Sequence, residues 1–134
     1  MSQTSRLITI EELAKHSDSK DCWIAVHGLV LDITPFLNEH PGGPDVVVSV
    51  SGRDCSHEFE DVGHTDSARR MGDKYIVGTL EGYEAASSSK IPTNKEVREL
   101  NERASQGNSM NLVMIGAAAF AGIAAIYHAL SLHK

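Results

Sequence analysis

Two histidines of this 134-residue chain stand in motifs of their own, His40-Pro41-Gly42-Gly43 and Val62-Gly63-His64-Thr65. Each adjoins glycine, which lets the backbone approach a flat ligand closely. Two imidazoles held on opposite walls of an apolar cleft would fill both axial positions of a haem iron. Such an iron cannot readily bind oxygen or substrate, but it can gain and lose one electron. The pair therefore points to electron transfer rather than to chemistry at the metal. No Cys-x-x-Cys-His run is present, so any haem is held without a covalent bond and is b-type.

Zinc is the rival metal, and it usually takes three or four ligands with Cys or His closely spaced. Cys22 and Cys55 lack that spacing. His16, His27 and His57 read as solvated or locally hydrogen-bonded side chains. His57 lies seven residues before His64, but Gly63 breaks the helix that would put both on one face. His128 and His133 belong to the apolar tail or its end. A non-redox haem- or lipid-binding scaffold would not need both His40 and His64. An enzyme acting at the haem would need an open coordination position. The chain carries no catalytic constellation and no nucleotide-binding glycine motif.

The net charge of −6 is unevenly spread. Residues 1–84 carry 15 acidic and 7 basic groups, a net of −8, and the remainder carries 3 and 5, a net of +2. An acidic module argues against nucleic acid, whose phosphates need a basic surface. It suits a partner with a basic docking face, found faster by electrostatic steering. Two cysteines are too few for a disulfide framework. Met1 to Arg6 are polar and Leu7 to Ile10 is too short for a signal-peptide core, so two free thiols in a reducing compartment are expected.

The elements that must position the histidines follow from pattern. Thr9-Ile10-Glu11-Glu12 suggests a strand running into a capped helical turn, with Leu13 buried. Cys22 to Val26 alternates as a strand, His27-Gly28 makes a tight turn, and Leu29 to Ile33 returns as a hairpin partner. Trp23, the single tryptophan, is a core residue. Thr34-Pro35-Phe36-Leu37 starts a helix, with threonine as cap and proline first. Pro44 to Val48 starts a second helix, ended by Ser51-Gly52. Asp54 caps a third that contains Phe59 and stops at Gly63, and Ser67 to Met71 starts a fourth. Tyr75 to Leu80 is the last strand. Four short helices between a hairpin and a final strand make an α+β pattern.

From Met110 to Leu132 the chain contains no formal charge. That length crosses a hydrocarbon core of ~30 Å at about 1.5 Å per residue. Tyr127 and His128 near its far end suit the interface. Between module and tail, Ala85-Ala86-Ser87-Ser88-Ser89 and Ile91-Pro92-Thr93 read as flexible linker. Thr93 or Asn94 is placed to cap a short helix through Arg103.

These residues together resemble the cytochrome b5 family. The likeness runs through Trp23, Leu29-Val30-Leu31-Asp32-Ile33-Thr34, Phe36-Leu37, His40-Pro41-Gly42-Gly43 and Gly52-Arg53-Asp54. It continues through Phe59, Asp61-Val62-Gly63-His64-Thr65, Ala68-Arg69 and Tyr75-Ile76-Val77-Gly78. It covers roughly residues 6–82 and the tail-anchored layout. It implies an α+β fold in which short helices cradle haem on a small mixed sheet, followed by a C-terminal transmembrane helix. The expected domains are 1–82 for haem binding, 83–109 as polar linker and 110–132 as membrane anchor.

The resemblance makes His40 and His64 the iron ligands. It makes Val26, Ile33, Phe36, Pro41, Gly42, Val46, Val47, Phe59, Val62, Met71 and Tyr75 the cofactor's surroundings. Thr65 takes the hydroxyl position that meets a haem propionate. It also implies an electron carrier rather than an enzyme. Electrons would come from a flavin-dependent reductase and go to membrane desaturases, hydroxylases or P450s. The weakly charged C-terminus favours the endoplasmic reticulum membrane, with the haem domain facing the cytosol, over the mitochondrial outer membrane. Pro44 and Ser49 stand where the family commonly has acidic residues. The acidic rim is thereby thinned to Glu39, Asp45, Asp61 and Asp66.

Overall fold

The computed structural model describes residues 6–83 and 89–107. The chain divides into two units after Asn94. The first is built on a five-stranded sheet: β1 Leu7–Ile8, β2 Ser17–Asp18, β3 Asp21–Val26, β4 Leu29–Asp32 and β5 Ile76–Leu80. Their order is β1-β5-β4-β3-β2, with β1 parallel to β5 and the other pairs antiparallel. The expected hairpin is β3–β4. His27 and Gly28 turn it with positive φ at both residues, 50° and 78°, as a two-residue turn matching strand twist requires. The strand expected before the capped turn is β1, which ends at Ile8, whereas β2 had no pattern in the sequence. Two residues cannot show an alternation.

Alternation along β3 and β4 separates two apolar clusters. Cys22, Ile24, Val26, Leu29 and Leu31 face one way and join Ile33, Leu37, Val47, Cys55 and Ile91. Trp23, Ala25 and Val30 face the other way and join Ile8, Leu13 and Leu80. Period-two side-chain direction alone produces this division. Both thiols are buried and free, and burial pushes the Cys55 thiol up to about 12.

The helices are α1 Ile10–Leu13, α2 Pro44–Val48, α3 Ser56–Val62 and α4 Asp66–Gly72, with 3-10 turns at Thr34–Glu39 and Asp73–Tyr75. Thr9 caps α1 by accepting from the Glu12 N–H, and Leu13 is buried as expected. Four expectations need correction. Thr34 does not cap its helix. Its hydroxyl instead donates to Asp32 Oδ1 and accepts from the Cys22 N–H, so it ties the turn to β3. The N-cap of α3 is Cys55, not Asp54, although Asp54 Oδ1 accepts from the Ser56 N–H beside it. The fourth helix begins at Asp66, because Thr65 accepts from the Ala68 N–H and caps it. Tyr75 closes a 3-10 turn, and the last strand starts one residue later.

The module also extends further than expected. Ile91, read in the sequence as linker, is only 1% exposed and belongs to the first apolar cluster. Its N–H donates to Asp73 Oδ1, and its carbonyl accepts from the Arg70 guanidinium. One apolar residue in a polar stretch carries no periodicity, so only packing reveals it. The first compact unit runs to Asn94. In the second unit, residues 95–107 are helical, with Lys95 and Glu99 paired one turn apart at 3.8 Å. Among the described residues no helix is long and apolar enough to cross a membrane. The expected anchor, 110–132, lies outside the described residues.

Truncating Ile91 to alanine is expected to cost roughly 2–4 kcal/mol of unfolding free energy, as for other buried aliphatic side chains. Urea unfolding measures it. A change under about 0.5 kcal/mol, the usual range for an exposed surface position, would return the residue to a linker.

Candidate functional site

His40 follows the 3-10 turn Thr34–Glu39, whose end it caps with extended backbone, φ −65° and ψ 128°. Pro41-Gly42-Gly43 then reverses the chain, and the Gly43 N–H donates to the His40 carbonyl at 2.9 Å. Gly43 sits at φ 83°, a region L side chains rarely adopt. A Cβ on Gly42 would stand 3.0 Å from Val46 Cγ2 and 3.3 Å from His40 Cε1. Glycine at 42 therefore keeps the space beside the imidazole open.

His64 is set between two helix ends. Gly63 terminates α3 in the left-handed region at φ 75°, and Thr65 caps α4. Its Nδ1 lies 2.9 Å from the Phe59 carbonyl. A carbonyl only accepts, so Nδ1 carries the proton and Nε2 presents a lone pair. The Phe59 ring stacks on the imidazole at 4.1 Å and 6°.

The two imidazole centres are 6.5 Å apart, with their planes at 54°. Two imidazoles bound in trans to one metal ion need two bonds of about 2 Å and a ring radius of about 1 Å each, a spacing near 6 Å. The centroid separation of the pair is close to that spacing. Burial, and secondly the His64 charge, lower the pKa of His40, which favours the neutral ring a metal requires. The Gly42 N–H donates to its Nδ1 at 3.2 Å, so in the neutral ring the proton sits on Nε2. Ligation through Nε2 would need that proton moved to Nδ1 and the Gly42 contact given up. Among the described residues no group of three or more His, Cys, Asp or Glu could hold a metal ion.

The structure places Val26, Ile33 and Val47 in the first apolar cluster, with Phe36, Phe59 and Tyr75 packed against it. Phe36 meets the His40 ring edge-on at 6.0 Å and Tyr75 at 5.7 Å. Val46, Val62 and Met71 are not part of that core. They are 51%, 74% and 46% exposed, an unusual position for three large apolar side chains that flank the motifs in sequence. Pro41 and Thr65 are exposed. The Thr65 oxygen accepts from the Ala68 N–H, and its own proton remains available to a carboxylate. Glu39, Asp45, Asp61 and Asp66 are all exposed.

A family model for the cytochrome b5-like haem/steroid binding domain matches residues 9–81. The chain belongs to the cytochrome b5 family. It is 43% identical over 95 residues to cytochrome b5 isoform E of Arabidopsis thaliana, covering 71% of this chain and 66% of that one. It is also 43% identical to cytochrome b5 of Borago officinalis, covering 68% and 69%. The chain thus spans about two thirds of the length of these relatives. Among solved structures, cytochrome b558 of Ectothiorhodospira vacuolata, a prokaryotic homologue of cytochrome b5, is 34% identical with a TM-score of 0.53. All of that chain and 57% of this one are covered. The helices and curled mixed sheet described above are the cytochrome b5-like fold.

Sequence reasoning missed the group that supports His64. Arg69 is fully buried. Its guanidinium pairs with both Glu60 oxygens, at 2.8 and 2.7 Å, and donates to the Pro92 carbonyl and Asn94 Oδ1. Its Nε donates to the His64 carbonyl at 3.2 Å, and it lies over the Phe59 ring. Glu60 also meets His27 Nε2 at 2.7 Å. Apart from His64, five positions away, the contacting pairs of this network are separated by 9 to 33 positions, so no local motif announces them. The one available signal was an arginine five residues after His64, on the helix that follows it.

Hydrogen bonding from Arg69 lowers the Glu60 pKa from its ordinary 4.5 to about 2. A depressed carboxylate stabilises the fold above the unfolded value and loses that contribution as pH falls through the folded value. Unfolding midpoints are therefore expected to drop between pH 4.5 and about 2, with a slope of about one proton taken up on unfolding. Glu60→Gln should flatten that slope. An unchanged slope in this variant would assign the acid limb to other carboxylates.

Proposed function

We propose that this chain is a membrane-held b-type haemoprotein that carries single electrons. Membership in the family implies a haem-binding electron carrier, generally not an enzyme. The observation that carries the finer reading is the His40–His64 pair with ring centres 6.5 Å apart, each ring beside a phenylalanine and the His64 ring held by a backbone hydrogen bond. His40 and His64 would hold the iron by their Nε2 atoms. Val26, Ile33, Phe36, Val47, Phe59 and Tyr75 would meet the macrocycle from the core. Val46, Val62 and Met71 would be covered by it, removing their exposed apolar area from water. Gly42 and Pro41 would leave it room, and the Thr65 hydroxyl would donate to a propionate.

When bound, the haem supplies reversible one-electron chemistry. The protein's own part would be to hold both imidazoles fixed, so that little has to reorganise when the charge changes. With His40 and His64 both holding the iron, other ligands would be excluded. The exposed carboxylates Glu39, Asp45, Asp61 and Asp66 offer an acidic face to a basic partner. By family resemblance the donor is a flavin-dependent cytochrome b5 reductase, and the acceptors are desaturases, hydroxylases or P450s of the same membrane. Residues 110–132 would anchor the chain in the endoplasmic reticulum membrane with the haem domain in the cytosol, and the polar stretch before them would give reach. Nucleic acid has no place on so acidic a module.

Haem-loaded protein, reduced with dithionite, is expected to show sharp low-spin bands that carbon monoxide leaves unchanged, and His64→Ala is expected to lose them. A carbon monoxide shift in the wild type would mean an open position and would put ligand binding or catalysis in place of electron transfer. Removal of residues 110–134 is expected to release a haem-replete protein from membrane vesicles on flotation. Continued flotation with the vesicles would sink the anchor.

A further inference from the structure

The segment that leads from the module toward the apolar tail touches the ligand-bearing turn directly. Asn94 Nδ2 donates to the His64 carbonyl at 3.1 Å, and its Oδ1 accepts from Arg69 at 2.8 Å. Its backbone N–H and its Nδ2 both donate to Asp66 Oδ1, at 2.8 and 3.1 Å. Three residues earlier, Ile91 is anchored in the core, so the segment is pinned at both ends. His64 is consequently held twice. Phe59 takes its ring, through Nδ1 and by stacking. Asn94 and Arg69 together take its carbonyl, which receives two donors.

A carbonyl with two donors fixes the peptide plane after His64. That plane sets ψ, and ψ together with the Gly63 cap sets the direction of the Cα–Cβ bond along which the imidazole projects. Helices α3 and α4 supply the Arg69 half of this hold, whereas Asn94 comes from outside them. Partners one layer removed from a metal ligand commonly change metal affinity when lost.

We propose that Asn94 is a positioning residue for His64, by which the segment leading to the tail sets the orientation of this ligand. The proposal rests on the reading of His64 as an iron ligand. Asn94 acts through the His64 carbonyl.

The test uses the full-length, haem-loaded protein in detergent micelles, as wild type, Asn94→Ala and Asn94→Asp. Three quantities are read: haem release to excess apomyoglobin, the low-spin ferric EPR spectrum and the unfolding midpoint. Asn94→Ala is expected to release haem roughly 2- to 10-fold faster, the factor that one lost hydrogen bond commands, and to shift the EPR g values. Asn94→Asp keeps the acceptor for Arg69 but loses the donor to His64, so it is expected to behave as the alanine variant does. Wild-type release and g values in Asn94→Ala would overturn the proposal, even with a lowered midpoint. Recovery of wild-type values by Asn94→Asp would also overturn it, since the donor would then be dispensable. A wild type without a low-spin spectrum would overturn the ligand assignment and the proposal with it, whereas a normal wild type beside a silent Asn94→Ala overturns the proposal alone.

Discussion

A fully buried guanidinium is the constraint around which the haem side of this protein is arranged. A charge in the interior costs several kcal/mol unless it is paired and its donors are satisfied. Arg69 meets that demand with Glu60, two backbone carbonyls and Asn94, drawn from α3, the turn after it and the segment 89–94. None of these elements can move away without stranding a charge or a donor. Among the described residues no buried side-chain nitrogen or oxygen lacks a partner. The His64 carbonyl is one of the satisfied acceptors, so the arginine's requirement and the ligand's placement are met by the same contact.

The sheet contributes a second constraint. Because neighbouring side chains on β3 and β4 point to opposite faces, one strand pair serves two separate clusters. Trp23, stacked with His16 at 3.6 Å, belongs to the face away from the histidine pair. Val26 and Ile33 belong to the face that Phe36, Phe59 and Tyr75 complete. This division lets one face be a closed core while the other opens onto exposed apolar side chains. Among the described residues, His16 pairs with Asp21, His27 with Glu60 and His57 with Asp61.

Much of the scaffold was legible because its signals are local. The His27-Gly28 turn needs two positive φ values, Gly63 ends a helix in the left-handed region, and proline opens α2. Each of these is written into adjacent residues. Misplaced boundaries arose where a hydroxyl or carboxylate had two uses. Thr34 and Asp54 are good cap residues by type, yet Thr34 is spent on β3 and Asp32, and Asp54 stands one position too early. Thr65 is the converse, a residue read for its hydroxyl alone that also caps α4.

By itself, the sequence determined which residues could bind a haem iron, the period-two hairpin, the glycine turns beside both histidines and the family. These depend on residue type and short spacing, and they survive without knowledge of distant contacts. Only the tertiary structure decided that His40 and His64 stand 6.5 Å apart, that Ile91 is core rather than linker, and that Arg69 is buried. Those facts arise from groups far apart in the chain competing for the same interior volume and the same hydrogen-bond acceptors. No local pattern records the outcome of that competition.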